Sequence, residues 1–155
     1  MRNISTLHTL KKIKYANKIK TFRPDYGLFN NTQMIIMAKR IFLLEDDEGI
    51  RQVIELILNL ENYEVTSFEN VEKFMAANPY DVPDLFILDV MLPDGNGIEV
   101  CKELSTLQKD VPVVMMSAHL TSADIALSCS EASFIPKPFD LNTLINTVKR
   151  LMKDE

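Results

Sequence analysis

The sequence lacks several features that would mark it for particular functions. Only two cysteines occur, Cys101 and Cys129, and they are too far apart for a CxxC metal or redox pair. We therefore expect two separate, reduced thiols within helices. No apolar run approaches the roughly 20 residues of a membrane span, and the N-terminus lacks the apolar core and cleavage site of a secretory signal. These absences predict a cytoplasmic protein without a membrane span.

Positive charge is also scarce beyond residue 40. Residues 41–155 contain eight Lys/Arg against 21 acids, whereas residues 1–40 contain nine Lys/Arg against the single acid Asp25. The acidic majority argues against direct DNA binding, because nucleic acid requires a clustered basic surface. The charge asymmetry predicts a basic N-terminal extension, residues 1–36, that is disordered or dispensable, followed by a folded domain, residues 37–155.

Within that domain, apolar strands alternate with amphipathic helices. The strand segments are IFLL (41–44), YEVTSF (63–68), LFIL (85–88), VPVVMM (111–116) and SFIP (133–136). Most are continuously apolar, which indicates a parallel sheet covered on both faces by helices. Five strand–helix units predict an α/β, flavodoxin-like fold with strand order 2-1-3-4-5 and five helices. Ligands of such folds bind outside the carboxyl ends of strands 1 and 3.

Polar residues follow these strands at their carboxyl ends. They are Glu45, Asp46, Asp47 and Glu48 after the first strand, Asp89 after the third, Ser117 after the fourth and Lys137 after the fifth. Because parallel strands end at the same edge of a sheet, we expect these side chains to face one crevice. Three or more carboxylates, one hydroxyl and one ammonium would meet there.

Such a set of groups suits a divalent cation and a phosphoryl group. Mg²⁺ (or Mn²⁺) is usually held by one or two carboxylates together with water and phosphate, and Asp46 and Asp89 would supply these carboxylates. We expect the backbone carbonyl of Met91 to be a third ligand and Glu45 to hold a coordinated water. A carboxylate can also attack phosphorus to give an acyl phosphate. Lys137 and the hydroxyl of Ser117 would then bind the phosphoryl oxygens.

Four motifs carry a resemblance to a known family. The segments LEDDEGIR, DLFILDVMLPDGNGIEV, VVMMSA and FIPKPF, within residues 39–153, resemble the receiver domain of two-component response regulators, the CheY-like family. The resemblance implies that Asp89 is the phosphoacceptor and that Glu45 and Asp46 are the acidic pair, with Asp47 outside the ligand set. It also implies that Ser117 and Phe134 are the switch residues. Lys137 matches the family's lysine, and a cis Lys–Pro bond is expected at Pro138.

The function implied is that of a phosphorylation-dependent signalling protein. A sensor histidine kinase or histidine phosphotransfer protein would phosphorylate Asp89, and the surface of helix 4, strand 5 and helix 5 would signal to an unknown downstream protein. The protein would catalyse only its own phosphorylation and slow dephosphorylation. Because the sequence ends just after the fifth helix, we expect a stand-alone receiver without an output domain.

Two alternatives come from other classes. A phosphatase of the haloacid dehalogenase type needs a second Asp two residues after its nucleophile, but Met91 occupies that position and cannot donate a proton. A receiver-like module that binds partners without accepting phosphate stays open, although the acidic residues and Lys137 argue against it. We expect Asp94, within PDGNG, to serve only the turn, and His119 to be exposed to solvent.

Overall fold

A computed structural model of the protein describes residues 38–77, 81–108 and 110–153, so the prediction for residues 1–36 lies outside the described residues. The described residues form seven strands: β1 (Arg40–Leu44), β2 (Glu64–Phe68), β3 (Leu85–Asp89), β4 (Met91–Leu92), β5 (Gly95–Asn96), β6 (Val113–Ser117) and β7 (Ser133–Pro136). Five of them form a parallel sheet in the order β2-β1-β3-β6-β7. Counted within this sheet alone the order is 2-1-3-4-5, as predicted for a flavodoxin-like fold.

The strands are connected by helices that begin at polar side chains. The helices are α1 (Glu48–Leu60), α2 (Val71–Ala76), α3 (Gly97–Leu107), α4 (Ser122–Ser128) and α5 (Leu141–Met152). Each begins after a residue whose side chain accepts a hydrogen bond from a backbone N–H of the first turn. These capping residues are Asp47, Asn70, Asn96, Thr121 and Asp140. Within the described ranges, every helix is too short or too polar to cross a bilayer.

The core consists of two apolar layers, one on each face of the sheet. Successive side chains of a strand point to opposite faces, so a strand buried on both sides needs apolar residues at every position. Ile41 and Leu43 pack with residues of α1 and α5, whereas Phe42 and Leu44 pack with residues of α2, α3 and α4. The continuous apolar runs of the sequence therefore reflect helices on both faces.

The segment after β3 contains a small hairpin. Strands β4 and β5 pair antiparallel around the predicted PDGNG turn, with Met91 opposite Asn96. Asp94 at the turn accepts hydrogen bonds from the backbone N–H groups of Val71 (3.0 Å) and Glu72 (2.9 Å), and these bonds hold the pKa of its carboxyl below the ordinary value. The expectation that Asp94 serves only the turn is therefore wrong, because its side chain also binds the start of α2.

The two cysteines are paired, so the expectation of separate reduced thiols is wrong. A disulfide joins Cys101 of α3 to Cys129, the residue that follows α4, and their Cα atoms are 6.3 Å apart. Both residues belong to the same apolar layer. Their separation of 28 positions hid this contact, because a strand and a helix lie between them and return the chain to the same face of the sheet.

The start of α3 lies directly against the end of β3. The backbone N–H of Gly97 donates to the carbonyl of Val90 at 2.9 Å. A Cβ atom at position 97 would overlap the backbone carbonyl of Asp89. Glycine is required here by this close approach of two backbones.

Gly97→Ala should therefore destabilise the fold. We expect the free energy of unfolding to fall by about 3 kcal/mol, because backbone atoms of Asp89 and Val90 would have to move to admit the methyl group. Gly49→Ala is the matched control, since a Cβ there meets only the flexible side chain of Asp47 at 3.3 Å and should change stability by less than about 1 kcal/mol. Urea denaturation of both variants measures the difference, and equal midpoints would refute the close approach.

Candidate functional site

The centre of the site is an ammonium group between two buried carboxylates. Lys137 Nζ lies 2.7 Å from Glu45 Oε2 and 2.7 Å from Asp89 Oδ2. Glu45 has no exposed surface and Asp89 is 5 % exposed. Lys137 follows β7, Glu45 follows β1 and Asp89 ends β3. The parallel sheet thus brings Lys137 to groups that are 92 (Glu45) and 48 (Asp89) positions away in the sequence.

Burial and charge act in opposite directions on this group of three. Burial raises the pKa of Glu45 above its ordinary value of 4.5, and the hydrogen bond from Lys137 offsets this only in part. Burial alone would lower the pKa of Lys137, but the hydrogen bonds and charges of Asp89 and Glu45 outweigh it and raise that pKa. The ammonium is therefore held in its charged form, as a phosphoryl-binding group requires.

Three carboxylates converge beside the ammonium. One oxygen from each of Glu45, Asp46 and Asp89 lies within 4.8 Å of the others, and Asp46 is exposed to solvent. Oxygen donors at this spacing suit a hard divalent cation such as Mg²⁺. Asp47 is instead engaged as the N-cap of α1, where its Oδ1 accepts from the N–H of Ile50 at 2.9 Å. This explains why Asp47 stands outside the acidic pair.

The loop that carries these acids is fixed by a residue whose role the sequence reasoning missed. Arg51 Nη1 donates to the backbone carbonyls of Glu45 (2.8 Å) and Asp46 (3.0 Å). Arg51 lies one helical turn after the cap Asp47, within the segment LEDDEGIR. An arginine one turn into a helix that follows an acidic loop is a signal that could have indicated this contact.

Met91 borders the carboxylate of Asp89. Its backbone N–H lies 3.4 Å from Asp89 Oδ1, and the residue is 59 % exposed. Met91 thus lies at the solvent-exposed rim of the site. The use of the Met91 carbonyl as a metal ligand stays a prediction.

Ser117 is buried at the end of β6 and engaged with the following loop. Its Oγ accepts from the backbone N–H groups of His119 and Leu120, both at 3.2 Å. Its carbonyl accepts from the N–H of Lys137 at 2.8 Å, which couples the ends of β6 and β7. Ser117 therefore connects the loop before α4 to the lysine of the site.

The remaining predicted residues lie close to these positions. The peptide bond between Lys137 and Pro138 is cis, as expected. Phe134 of β7 is half-buried and packs against the apolar layer of α2, α3 and α4. His119 is exposed, as predicted. The structure thus brings Glu45, Asp89 and Lys137 into direct contact, whereas the switch roles of Ser117 and Phe134 stay predictions.

A parallel α/β sheet with acidic residues and a lysine at the carboxyl ends of its strands is the arrangement that the sequence predicted for a receiver domain. The family model of the response regulator receiver domain matches residues 41–149, and the chain belongs to this family. The resemblance noted in the sequence is confirmed.

Individual relatives support the same assignment. The chain is 34% identical over 122 residues to the transcriptional regulatory protein CssR of Bacillus subtilis, covering 76% of this chain and 52% of that protein. It is 31% identical over 121 residues to the phosphate regulon transcriptional regulatory protein PhoB of Escherichia coli, covering 76% and 53%. The chain thus spans about half the length of these curated relatives.

Solved structures match the fold. The non-phosphorylated HemR receiver domain of Leptospira biflexa is 28% identical, with a TM-score of 0.69 over 76% of this chain and 96% of that one. A CheY-like receiver domain protein of Methanospirillum hungatei superposes with a TM-score of 0.70 over 76% and 95%. At 24% identity, the latter supports the fold alone.

Removal of the Lys137 ammonium should destabilise the fold, because it leaves two buried carboxylates without a positive partner. Lys137→Met leaves Glu45 and Asp89 without their cation, and we expect it to lower the free energy of unfolding by about 3 kcal/mol at neutral pH. Without Lys137 the pKa of Glu45 should rise further, so the loss should shrink as the pH falls through that raised pKa towards 4.5. Chemical denaturation across this pH range measures both effects.

A matched control is available on the surface. Lys149 Nζ pairs with Glu61 Oε2 at 2.6 Å, and its side chain is 44 % exposed. Lys149→Met should cost less than about 1 kcal/mol, because exposed pairs contribute little. Equal losses for the two substitutions would contradict the central role of Lys137.

Proposed function

We propose that this protein accepts a phosphoryl group on Asp89 in the presence of Mg²⁺ and thereby carries a two-component or phosphorelay signal. The observation that carries the proposal is the contact between Lys137 Nζ and Asp89 Oδ2 at 2.7 Å, beside the carboxylates of Glu45 and Asp46. A buried nucleophilic carboxylate with an ammonium at hydrogen-bond distance matches the needs of phosphoryl transfer, which are positioning and charge neutralisation.

Glu45, Asp46 and Asp89 would hold the metal ion. When bound, Mg²⁺ supplies positive charge to the oxygens of the transferring phosphoryl group. Asp46 is the accessible member of the three, whereas Glu45 is fully buried and hydrogen-bonded to Lys137. We therefore assign Asp46 and Asp89 to direct coordination and Glu45 to a coordinated water.

In the transfer itself, Asp89 is the nucleophile and Lys137 is the neighbouring cation of the protein. A carboxylate oxygen of Asp89 forms a bond to phosphorus while the bond between phosphorus and the imidazole nitrogen of a phosphohistidine donor breaks. The leaving imidazole takes up a proton from water. Lys137 neutralises charge on the phosphoryl oxygens. The hydrogen bond from its backbone N–H to the Ser117 carbonyl keeps the lysine in place.

Ser117 and Phe134 would transmit the change to the surface. The Ser117 hydroxyl now accepts from the N–H groups of His119 and Leu120. In the phosphorylated form it would turn to donate to a phosphoryl oxygen, which releases both N–H groups and alters the loop before α4. Phe134 would rotate into the vacated space, and a partner would read the surface of α4, β7 and α5.

The donor we propose is a sensor histidine kinase or a histidine phosphotransfer protein, in the cytoplasm, and the downstream partner is a protein. Relatives such as CssR and PhoB are named as transcriptional regulators and are about twice as long as the shared region. The acidic charge of residues 41–155 argues against DNA contact by the receiver domain itself. The alternative, a module that never accepts phosphate, leaves the buried Asp89–Lys137 pair without a purpose.

Asp89 should be the sole phosphorylated residue. Incubation with Mg²⁺ and a small phosphodonor such as acetyl phosphate should add one phosphoryl group. Of the two carboxylates that contact Lys137, Glu45 has no exposed surface, so Asp89 is the one that a phosphodonor can reach. Asp89→Asn should abolish the modification, and omission of divalent cation should suppress it. Intact-mass measurement followed by peptide mapping reports the modified residue.

Asp94→Asn provides the matched control on the same loop, since its carboxylate binds the start of α2 rather than Lys137. This variant should be phosphorylated as fully as the unmodified protein. Full phosphorylation of the Asp89→Asn variant would refute the assignment. Failure of every form to accept phosphate would favour the partner-binding alternative.

Met91 should slow the loss of the phosphoryl group. Hydrolysis needs a water aligned behind phosphorus, and a thioether offers no strong hydrogen bond to orient one. Met91→Asn should therefore accelerate decay, about tenfold if the barrier falls by about 1.4 kcal/mol. The decay is measured with Mg²⁺ present after removal of the donor.

Leu127→Asn is the control for this measurement, because Leu127 is also an exposed apolar residue (90 % exposed) but lies in α4 rather than in the segment that follows Asp89. Its decay rate should match that of the unmodified protein. If the Met91→Asn protein loses phosphate no faster than the Leu127→Asn protein, Met91 does not slow the hydrolysis.

A further inference from the structure

Helix α4 is held to the domain by few buried groups. It contains seven residues, and Ile125 is the one buried residue among its described side chains, whereas Leu127 is 90 % exposed. Segments with so few buried contacts open locally at low free-energy cost. The second buried anchor is Cys129, which ends the helix and is bonded to Cys101 of α3. The disulfide is thus a major part of what holds α4 in place.

The two cysteine residues differ in their access to solvent. Cys101 has no exposed surface, whereas Cys129 is 6 % exposed and borders a surface cavity of about 360 Å³. Ser105 and Glu131 also line this cavity. Ser105 Oγ lies 3.8 Å from Cys129 Sγ, and it donates to the Cys101 carbonyl at 2.7 Å. A small reagent can therefore approach Cys129 from the cavity, whereas Cys101 does not line the cavity and has no exposed surface.

We propose that Cys101 and Cys129 form a reversible redox site, which exchanges with small disulfides through this cavity and sets how readily α4 opens. In the oxidising direction, the Cys129 thiolate attacks one sulfur of a small disulfide and expels one thiolate. The Cys101 thiolate then attacks Cys129 Sγ and expels the second. Two cysteine protons pass to the two released thiolates, so one small disulfide becomes two thiols as the protein disulfide forms.

The oxidised form restrains α4 at its carboxyl end. With the bond broken, α4 is anchored by Ile125 and by its cap, in which Thr121 and Asp124 exchange hydrogen bonds. That the same helix belongs to the surface read by a partner rests on the proposed function. The redox chemistry and the local opening do not depend on it, because both are measurable in the unphosphorylated protein.

The first test counts thiols in the full chain. The protein is equilibrated with mixtures of oxidised and reduced glutathione, quenched, denatured and alkylated, and its intact mass is measured. We expect a shift between forms with two alkylated cysteines and none as the mixture becomes oxidising, with reversal by excess reduced glutathione while the protein stays folded. Two alkylated cysteines in the most oxidising mixture would overturn the proposal. So would a bond that yields only after denaturation.

Single variants test the order of attack. Cys101→Ala removes the resolving thiol, so oxidised glutathione should leave a stable adduct on Cys129. In the Cys129→Ser variant, adduct formation at the remaining thiol of Cys101 should be slower by about tenfold or more, because Cys101 is buried. Equal rates in the two variants would contradict the route through the cavity.

The final test compares amide hydrogen exchange in the oxidised and reduced forms of the unphosphorylated protein, with no residue substituted. The amides of α4 should exchange about tenfold faster in the reduced protein, whereas those of α1, which packs on the opposite face of the sheet, should be unchanged. Equal exchange of α4 in both forms would overturn the control of α4 by the disulfide. A failure of Asp89 to accept phosphate would leave this result unaffected, so the two proposals fail separately.

Discussion

The site depends on the pairing of one ammonium with two carboxylates that are almost wholly removed from water. Lys137 Nζ contacts Glu45 and Asp89 at 2.7 Å each. Burial of charged groups is costly unless each finds a partner, so the three side chains are stable only together. Their charges do not cancel, because two carboxylates face one ammonium, and burial together with the charge of Asp89 raises the pKa of Glu45. A divalent cation bound at the accessible Asp46 would neutralise the remaining negative charge.

The parallel sheet provides the precision that this arrangement needs. Glu45 and Asp89 follow or end adjacent strands, β1 and β3, whose register places Leu44 beside Leu88. Lys137 follows β7, and the hydrogen bond from its backbone N–H to the Ser117 carbonyl fixes the position of its backbone. Because strands buried on both faces have little freedom to shift, the distances at their ends are set by the core rather than by the loops.

Much of the fold and site could be predicted, and the misses share one cause. Continuous apolar strands indicated the sheet, and strand-end polar residues indicated Glu45, Asp89, Ser117 and Lys137. The contacts of Arg51, of Asp94 and between the cysteines were not anticipated. Each joins segments whose proximity depends on how helices and loops pack, and neither periodicity nor spacing encodes that. The sequence separation of 28 suggested that Cys101 and Cys129 lie far apart, although a strand–helix unit returns the chain to the same face of the sheet.

The domain combines this rigid site with a lightly held helix. Ser117 binds the loop before α4 at one end, and the disulfide holds Cys129 at the other. In our proposals, phosphorylation alters the first attachment and reduction releases the second. A helix of seven residues opens as one unit, so the two changes act on the same equilibrium. Their effects would then be coupled and reciprocal. A disulfide at Cys129 that resists the opening of α4 would also lower the response of α4 to a phosphoryl group. In turn, phosphorylation of Asp89 would make the disulfide easier to reach.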